Sequence, residues 1–283
     1  MNQLDDLIAI VTVDGKEVYF DPGQRYCEYG RLAWFHTCTG GIRQQDKGIA
    51  LGMTTGEPLT NNHARRIADL ALDDHGVASG SITLSYTGDE ALFWRQRGLR
   101  GDETSLKQEL RTSMEHMLPG GMDVQVTDMA NLDKPEQPLN IIYHVQGAIG
   151  TPAGKRLLVP VDIFEAGKTS LFPQPKRETS IDLHFASYVQ DAVRYKLPAD
   201  LTAESLPGPG KELYQHEAGF TTSNARAGNN VTFYRNVSMA KVIVTPAEYP
   251  EFRPFYSKLE TEGQASMVLT HGTGEPTKAA GAN

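Results

Sequence analysis

Residues 80–87 read Gly80-Ser81-Ile82-Thr83-Leu84-Ser85-Tyr86-Thr87, and this stretch shows most clearly which fold class the chain adopts. Its large apolar residues fall on one face of an extended chain and its small polar residues on the other, which is typical of a half-exposed β-strand. Similar runs recur along the chain. The further candidate strands are 67–72, 124–129, 140–149, 157–161, 181–188, 194–197, 214–218, 231–237 and 265–269. We therefore predict a mainly β fold with antiparallel, β-sandwich-like sheets.

Two short helices are expected among these strands. The first begins at Ser105, which is followed three residues later by Gln108 in the pattern of a capping box. Its apolar stripe comprises Leu106, Leu110, Met114 and Met117. The second helix follows Thr245-Pro246, an N-cap residue with proline at the first helical position. Its apolar face comprises Tyr249, Phe252, Phe255 and Leu259.

The N-terminal 24 residues predict a β-hairpin. Both faces of residues 7–13 are largely apolar, which favours a strand buried on both sides. Asp14-Gly15 is a preferred type I′ turn, because both central residues need positive φ. Residues 18–20 then form the returning strand, which Pro22-Gly23 ends. Residues 25–60 are rich in glycine and predict an irregular linker.

Composition limits the classes of protein. The chain has 283 residues, with 27 Lys and Arg against 35 Asp and Glu, and a formal charge of −8. This acidic balance argues against a nucleic-acid binder, and no run approaches the roughly 20 apolar residues of a membrane span. We expect three regions: 1–60, a β-region over 61–270, and a disordered tail over 271–283. A subdivision near residue 175 is an alternative to one large sandwich.

The hairpin resembles the end of a transglutaminase-like cysteine-peptidase core, in bacterial proteins of the DUF3857/DUF3858 architecture. The motifs that carry the resemblance are Asp14–Gly23, Tyr29–Trp34 and Tyr249–Tyr256, and it extends over about residues 4–270. It implies that Asp21 occupies the position of the aspartate in a Cys-His-Asp triad. Asp6 stands about where the family has its histidine, and no cysteine precedes Cys27.

These departures shape what the resemblance implies. The nucleophile's helix would lie before residue 1, so the chain looks like the C-terminal portion of a larger protein without the catalytic cysteine and histidine. The family implies a cell-envelope or secreted location. The acidic stretch Met1–Asp6, however, lacks the basic region of a signal peptide.

The candidate catalytic residues are Asp21 and Asp6. Asp21 could orient or activate a reacting group, although an aspartate before proline is also an ordinary turn residue. Cys27 and His36 are a weaker nucleophile–base pair, since no helix N-terminus lies beside the thiol to lower its pKa. Cys27 and Cys38 could instead be small buried residues, or pair across a short loop.

The candidate binding residues are Trp94, Arg95 and Arg97, a basic and aromatic stretch suited to an anion or a sugar. The alternative is a strand-to-helix connection whose arginines pair with nearby acidic residues. The sequence contains no HExxH or EF-hand pattern, so we expect neither a metal site nor a cofactor.

Two functions from different classes remain open. The first is a non-catalytic β-sandwich accessory or binding module of a transglutaminase-like protein, whose partner would be an upstream catalytic domain or a second copy of the chain. The second is a free-standing hydrolase, a glycosidase or esterase, that uses Asp and Glu carboxylates, because glycosidases need two carboxyl groups and carry no short signature.

Overall fold

The computed structural model describes Leu4 and residues 6–271 of the chain. Within that part, most of the regular structure is strand. In chain order, the strands are β1 Ala9–Val13, β2 Lys16–Phe20, β3 Gly40–Gln45, β4 Gly48–Met53, β5 His63–Leu72, β6 Val77–Tyr86, β7 Asp123–Ala130, β8 Leu139–Ala148, β9 Thr151–Ala153, β10 Arg156–Pro160, β11 Ile181–Asp182, β12 Ser187–Lys196, β13 Leu201–Ser205, β14 Gly210–Tyr214, β15 Ala218–Ala227, β16 Asn230–Met239, β17 Ile243–Val244 and β18 Ser266–His271. The mainly β prediction is confirmed.

Eight of these strands form one central sheet, in the order β14-β15-β16-β12-β5-β6-β8-β7. Its neighbours run antiparallel, with the exception of β5 and β12, which are parallel. A four-stranded antiparallel sheet has the order β13-β18-β10-β9. Strands from both sides of residue 175 are thus neighbours in the central sheet.

Three α-helices occur in the described residues: α1 Gly88–Gly98, α2 Glu103–Met117 and α3 Tyr249–Gly263. The predictions of α2 and α3 are confirmed, but the prediction of only two helices is wrong. The chain directly after β6 was expected to be a connection and instead forms α1. No described helix is long and apolar enough to cross a membrane.

The core lies on one face of the central sheet. Leu106, Leu110 and Met114 of α2 pack there with the inward residues of β5, β6 and β8 and with the four-stranded sheet. A second apolar cluster joins α3 to the far end of the central sheet through Phe252, Phe255 and Phe220. Burial of these side chains, at about 25 cal/mol per Å² of apolar area, stabilises the layered arrangement.

The N-terminal region consists of two small ribbons, β1–β2 and β3–β4. Asp14 and Gly15 have φ of 51° and 77°, so the predicted turn with positive φ is present. The prediction that residues 7–13 are buried on both sides is wrong: Leu7 is 80 % exposed and Val11 is 46 % exposed. The reason is that β1 has a single neighbouring strand and no described layer covers it. The expected linker also contains a regular ribbon, β3–β4.

Two other predictions of strands need correction. Residues 214–218 mostly form the turn between β14 and β15, in which Gln215 and His216 have positive φ. Residues 181–188 are not one strand but are divided between β11 and the start of β12. Apart from His271, which ends β18, the predicted disordered tail lies outside the described residues.

Candidate functional site

Asp21 forms the centre of a polar site at the end of β2. Its side chain is fully buried, and its Oδ2 atom lies 2.7 Å from Nδ1 of His36. The same oxygen accepts a hydrogen bond from the backbone N–H of Ala33 at 3.1 Å. Oδ1 is buried as well and has no hydrogen-bond partner in the described part of the chain. A carboxylate that binds Nδ1 of a histidine fixes the orientation of the ring.

Asp6 lies on the other side of the same imidazole. Its Oδ2 is 3.3 Å from Nε2 of His36, and its side chain is 39 % exposed. Oδ1 of Asp6 accepts a hydrogen bond from the backbone of Leu7. The structure thus brings Asp21 and Asp6 together, with His36 standing between them.

Local sequence explains why these three side chains meet. β2 ends at Phe20 and Pro22 prevents its continuation, so the chain turns away directly after Asp21. The chain then returns through a 3₁₀ turn, Trp34–His36, which presents the imidazole to Asp21. The role of His36 as the partner of both aspartates was not predicted.

Neither cysteine forms a reactive pair. Both are free thiols, Cys27 half-buried and Cys38 exposed, so the expectation of two buried residues fails for Cys38. Burial, together with the charge of Asp21, raises the pKa of Cys27 to about 12, which leaves it a thiol at neutral pH. Both ring nitrogens of His36 face carboxylates instead of Cys27.

A second set of contacts fastens this N-terminal region to the main body. Asp89, at the start of α1, accepts a hydrogen bond from the backbone of Trp34 at 2.8 Å. Arg31 binds Glu57 at 3.0 Å and Asn62 at 3.2 Å, and lies 4.0 Å from Asp89. Burial raises the pKa of Asp89 to about 6, although the N–H of Trp34 opposes this shift. The site around His36 is therefore held against α1.

The three candidate binding residues make mostly internal contacts. The buried indole of Trp94 donates to Glu90 at 3.1 Å. Arg95 is 1 % exposed and its guanidinium donates to four backbone carbonyls in the loop between β7 and β8, at 2.6–3.3 Å. Arg97 pairs with Glu109 of α2 at 2.7 Å. Arg95 thus shapes a loop, and Arg97 links α1 to α2.

A buried ionic cluster joins side chains of β5, β12 and β16 in the central sheet to Glu165. Asp191 binds Arg66 at 2.6 Å and Arg235 at 2.8 Å, and Glu165 accepts from the same two guanidinium groups. Although burial opposes it, the charges of Arg235 and Arg66 lower the pKa of Glu165 to about 2. Burial raises the pKa of Asp162, next to the cluster, to about 7, and the charge of Asp191 adds to this shift.

Asp162, Glu165 and Asp191 offer oxygen atoms within 4.8 Å of one another, as a cation site would require. The two arginines, however, already bind Glu165 and Asp191 and supply the positive charge that a metal ion would bring. This donor set fits an internal ion network better than a metal centre.

One family model matches part of the sequence. Residues 155–269 match DUF3858, a domain of unknown function with solved structure. The matched segment begins just before β10 and ends in β18, so it contains the ionic cluster's acidic residues and α3.

The fold was also compared with solved structures. A chain described as a "putative protease", from Parabacteroides distasonis ATCC 8503, is similar at 12 % sequence identity and a TM-score of 0.43. The similarity covers 92 % of this chain and 35 % of that one, so the present chain spans about a third of the length of that protein. No curated protein matches the sequence.

Proposed function

We propose that the chain is a non-catalytic β-rich accessory module of a transglutaminase-like protein, and that its N-terminal ribbons dock against the catalytic domain of that protein. The observation that carries the proposal is the exposed apolar face of β3–β4. Ile42 and Leu51 are cross-strand partners on this face, and they are 51 % and 90 % exposed. Ile49 and Met53 share the face and are 75 % and 73 % exposed.

An apolar face on a two-stranded ribbon gains stability only when another layer covers it. The segment 272–283 is composed of small and polar residues and contains no large apolar side chain that could cover the face. The resemblance of the hairpin to the end of a transglutaminase-like core, together with the DUF3858 match, favours that core as the covering domain.

Two measurements test this proposal. The purified chain should show no turnover on chromogenic glycosides, esters and amides, and neither should the Asp21→Asn variant. Immunoprecipitation of the protein from its native cells, followed by mass spectrometry, should recover transglutaminase-like sequence in the same polypeptide or as a bound partner. Recovery of the chain alone, or as a homodimer, would contradict the docking.

A hydrolase is the second candidate, and the arrangement of Asp21, His36 and Asp6 is the observation that favours it. A buried carboxylate at Nδ1 is how an imidazole general base is oriented, and Nε2 faces the partly exposed side chain of Asp6. A two-carboxylate glycosidase fits less well, because the imidazole ring occupies the space between the carboxylates. Turnover that His36→Gln and Asp21→Asn both abolish, while Cys27→Ser leaves it intact, would establish this alternative.

A further inference from the structure

The two edges of the central sheet differ in how they are covered. β14, at one edge, lies under α3, and Lys258 of the helix pairs with Glu212 of the strand. β7, at the other edge, is paired with β8 alone in the described residues. Every second residue of such an edge strand points its backbone N–H and C=O groups away from the sheet.

A groove with a volume of about 560 Å³ runs along β7. One wall is the exposed side of α2, and the other is formed by β7 and by the neighbouring residues of β8. The lining residues of α2 are Thr104, Lys107, Gln108 and Arg111. The size lies within the range of roughly 300–1,000 Å³ that is usual for ligand sites. A helix beside a free edge strand forms a slot for an extended chain.

Two cations line the groove, although the formal charge of the chain is −8. Lys107 and Arg111 line it, against the single carboxylate of Asp123. Lys107 contacts Glu103 and Arg111 contacts Glu115, one helical turn away in each case, with all four side chains a third or more exposed. Exposed pairs of this kind are weak, so both cations can turn to an incoming acidic group.

The length of the free edge is limited. The pairing of β7 with β8 becomes irregular between Val126 and Asp128, and the groove is lined by residues 123–126, which precede this irregularity. A bulge bends the strand and ends regular pairing. The slot therefore suits a short extended segment and not a long strand.

We propose that this groove binds a short acidic segment of a partner protein, which adds to β7 as a ninth strand of the central sheet. Backbone hydrogen bonds to β7 hold the segment, and its acidic side chains, at alternate positions, face Lys107 and Arg111. This binding is independent of the docking of the N-terminal ribbons, since the groove and the β3–β4 face share no residue.

The test uses three fluorescein-labelled hexapeptides and fluorescence polarisation with the full chain. The first alternates valine and glutamate, the second alternates valine and lysine, and the third is the first peptide with every second backbone nitrogen methylated. We expect saturable binding of the first and at least about tenfold weaker binding of the other two. Equal binding of the methylated peptide, or no saturation by the first peptide up to about 1 mM, would overturn the proposal.

Variants then locate the binding. The double variant Lys107→Gln and Arg111→Gln should weaken the first peptide about tenfold, which corresponds to 1.4 kcal/mol. The matched control is Arg156→Gln, which removes an exposed cation paired with Glu204 in the four-stranded sheet. An equal loss of peptide affinity in the control would show unspecific charge attraction and would overturn the proposal. A stable dimer that excludes the peptide would assign the groove to a second copy, and this too would overturn the proposal.

Discussion

The carboxylate of Asp21 joins three parts of the N-terminal region at a single side chain. It directly follows β2, accepts a hydrogen bond from the N–H of Ala33 and binds the ring of His36. Because the carboxylate is buried, its removal leaves polar groups without a partner, and each such group costs about 1–3 kcal/mol. Asp21 is therefore a structural centre of the candidate site whichever function is correct.

Asp21→Ala should loosen this region without unfolding the main body. We expect hydrogen–deuterium exchange in residues 21–36 to accelerate by roughly tenfold or more, because the N–H of Ala33 and Nδ1 of His36 lose their acceptor. Exchange in β5 and β6 should not change. The control is Glu17→Ala, which breaks the exposed pair with Arg43 and should leave the exchange rates as they are. Unaltered exchange in the Asp21 variant would show that the carboxylate does not hold the segment.

Asp162 should make stability depend on pH in an unusual direction. Its pKa is raised from 3.8 to about 7 in the folded protein, so the folded state binds this proton more tightly than the unfolded chain. The contribution favours folding below about pH 4 and is lost as the pH rises towards 7.

Asp162→Asn cannot ionise and keeps an oxygen that can accept from the backbone of Phe164. The free energy of unfolding of the variant, relative to the native protein, should therefore rise between pH 4 and 8 by on the order of 4 kcal/mol. Urea titrations at several pH values measure this difference. A flat difference for Asp162 would show that the buried carboxyl is stabilised in its charged form.

The resemblance of the N-terminal hairpin to a transglutaminase-like core led to Asp21 and Asp6 but not to the histidine that joins them. His36 is 15 residues from Asp21, on a glycine-rich segment without a period, so no pattern relates the two. The ionic cluster was missed for the same reason, since Arg66 and Asp191 are 125 residues apart. Contacts of this kind become visible only once the order of the strands is known.

Among the elements, α1 is the helix that hydrophobic periodicity did not predict. Its buried residues include Asp89 and Arg95 besides Ala91, Leu92 and Trp94, so polar and apolar residues are buried together. The sequence of α1 therefore shows no amphipathic stripe. The sequence of α2 does show one, and this helix was predicted. Most strands of the central sheet were predicted, because their apolar and polar residues alternate. The exposure of β1 was not predicted, because it depends on neighbouring elements that a local sequence pattern does not specify.

The start of α1 depends on a glycine without a side chain. Gly88 has φ +69°, and a Cβ there would collide with Oδ1 of Asn62 and the carbonyl of Asn61. Gly88→Ala should lower the free energy of unfolding by about 3 kcal/mol, since backbone strain and a clash add together. Gly121→Ala is the matched control: φ is +88° but no atom lies within 4 Å, so only about 1 kcal/mol is expected. Equal losses of stability in the two variants would show that Asn62 moves away from the added methyl group. Chemical denaturation measures both.

At the scale of the molecule, β5 and β12 join the two ends of the central sheet. Two ion pairs cross this parallel pair of strands, the buried Arg66–Asp191 and the exposed Asp69–Arg194. They share the same strands and the same separation in sequence, and they differ in burial. Together they allow the role of the buried cluster to be measured against a surface pair.

Asp191→Ala should lower the free energy of unfolding by about 3–5 kcal/mol, because two buried guanidinium groups lose their shared acceptor. Asp69→Ala should lower it by less than about 1 kcal/mol, because water replaces the lost partner. Thermal and chemical denaturation of the two variants decide between these values. Similar small losses in both would mean that water enters the cluster.

The parallel pairing of β5 with β12 has a consequence for the order in which the protein forms. The positions that meet across these strands, such as Arg66 and Asp191, are separated by 125 residues, so a ribosome adds the second long after the first. Until then, β5 is a free edge of a hairpin that already includes β6, and Arg66 lacks its counterion Asp191. Contacts so distant in sequence slow folding, and they prolong the lifetime of partly folded chains whose apolar surface and strand edges are exposed. Refolding from denaturant should therefore be slow and sensitive to protein concentration, and nascent chains that stop before β12 should be the natural clients of chaperones.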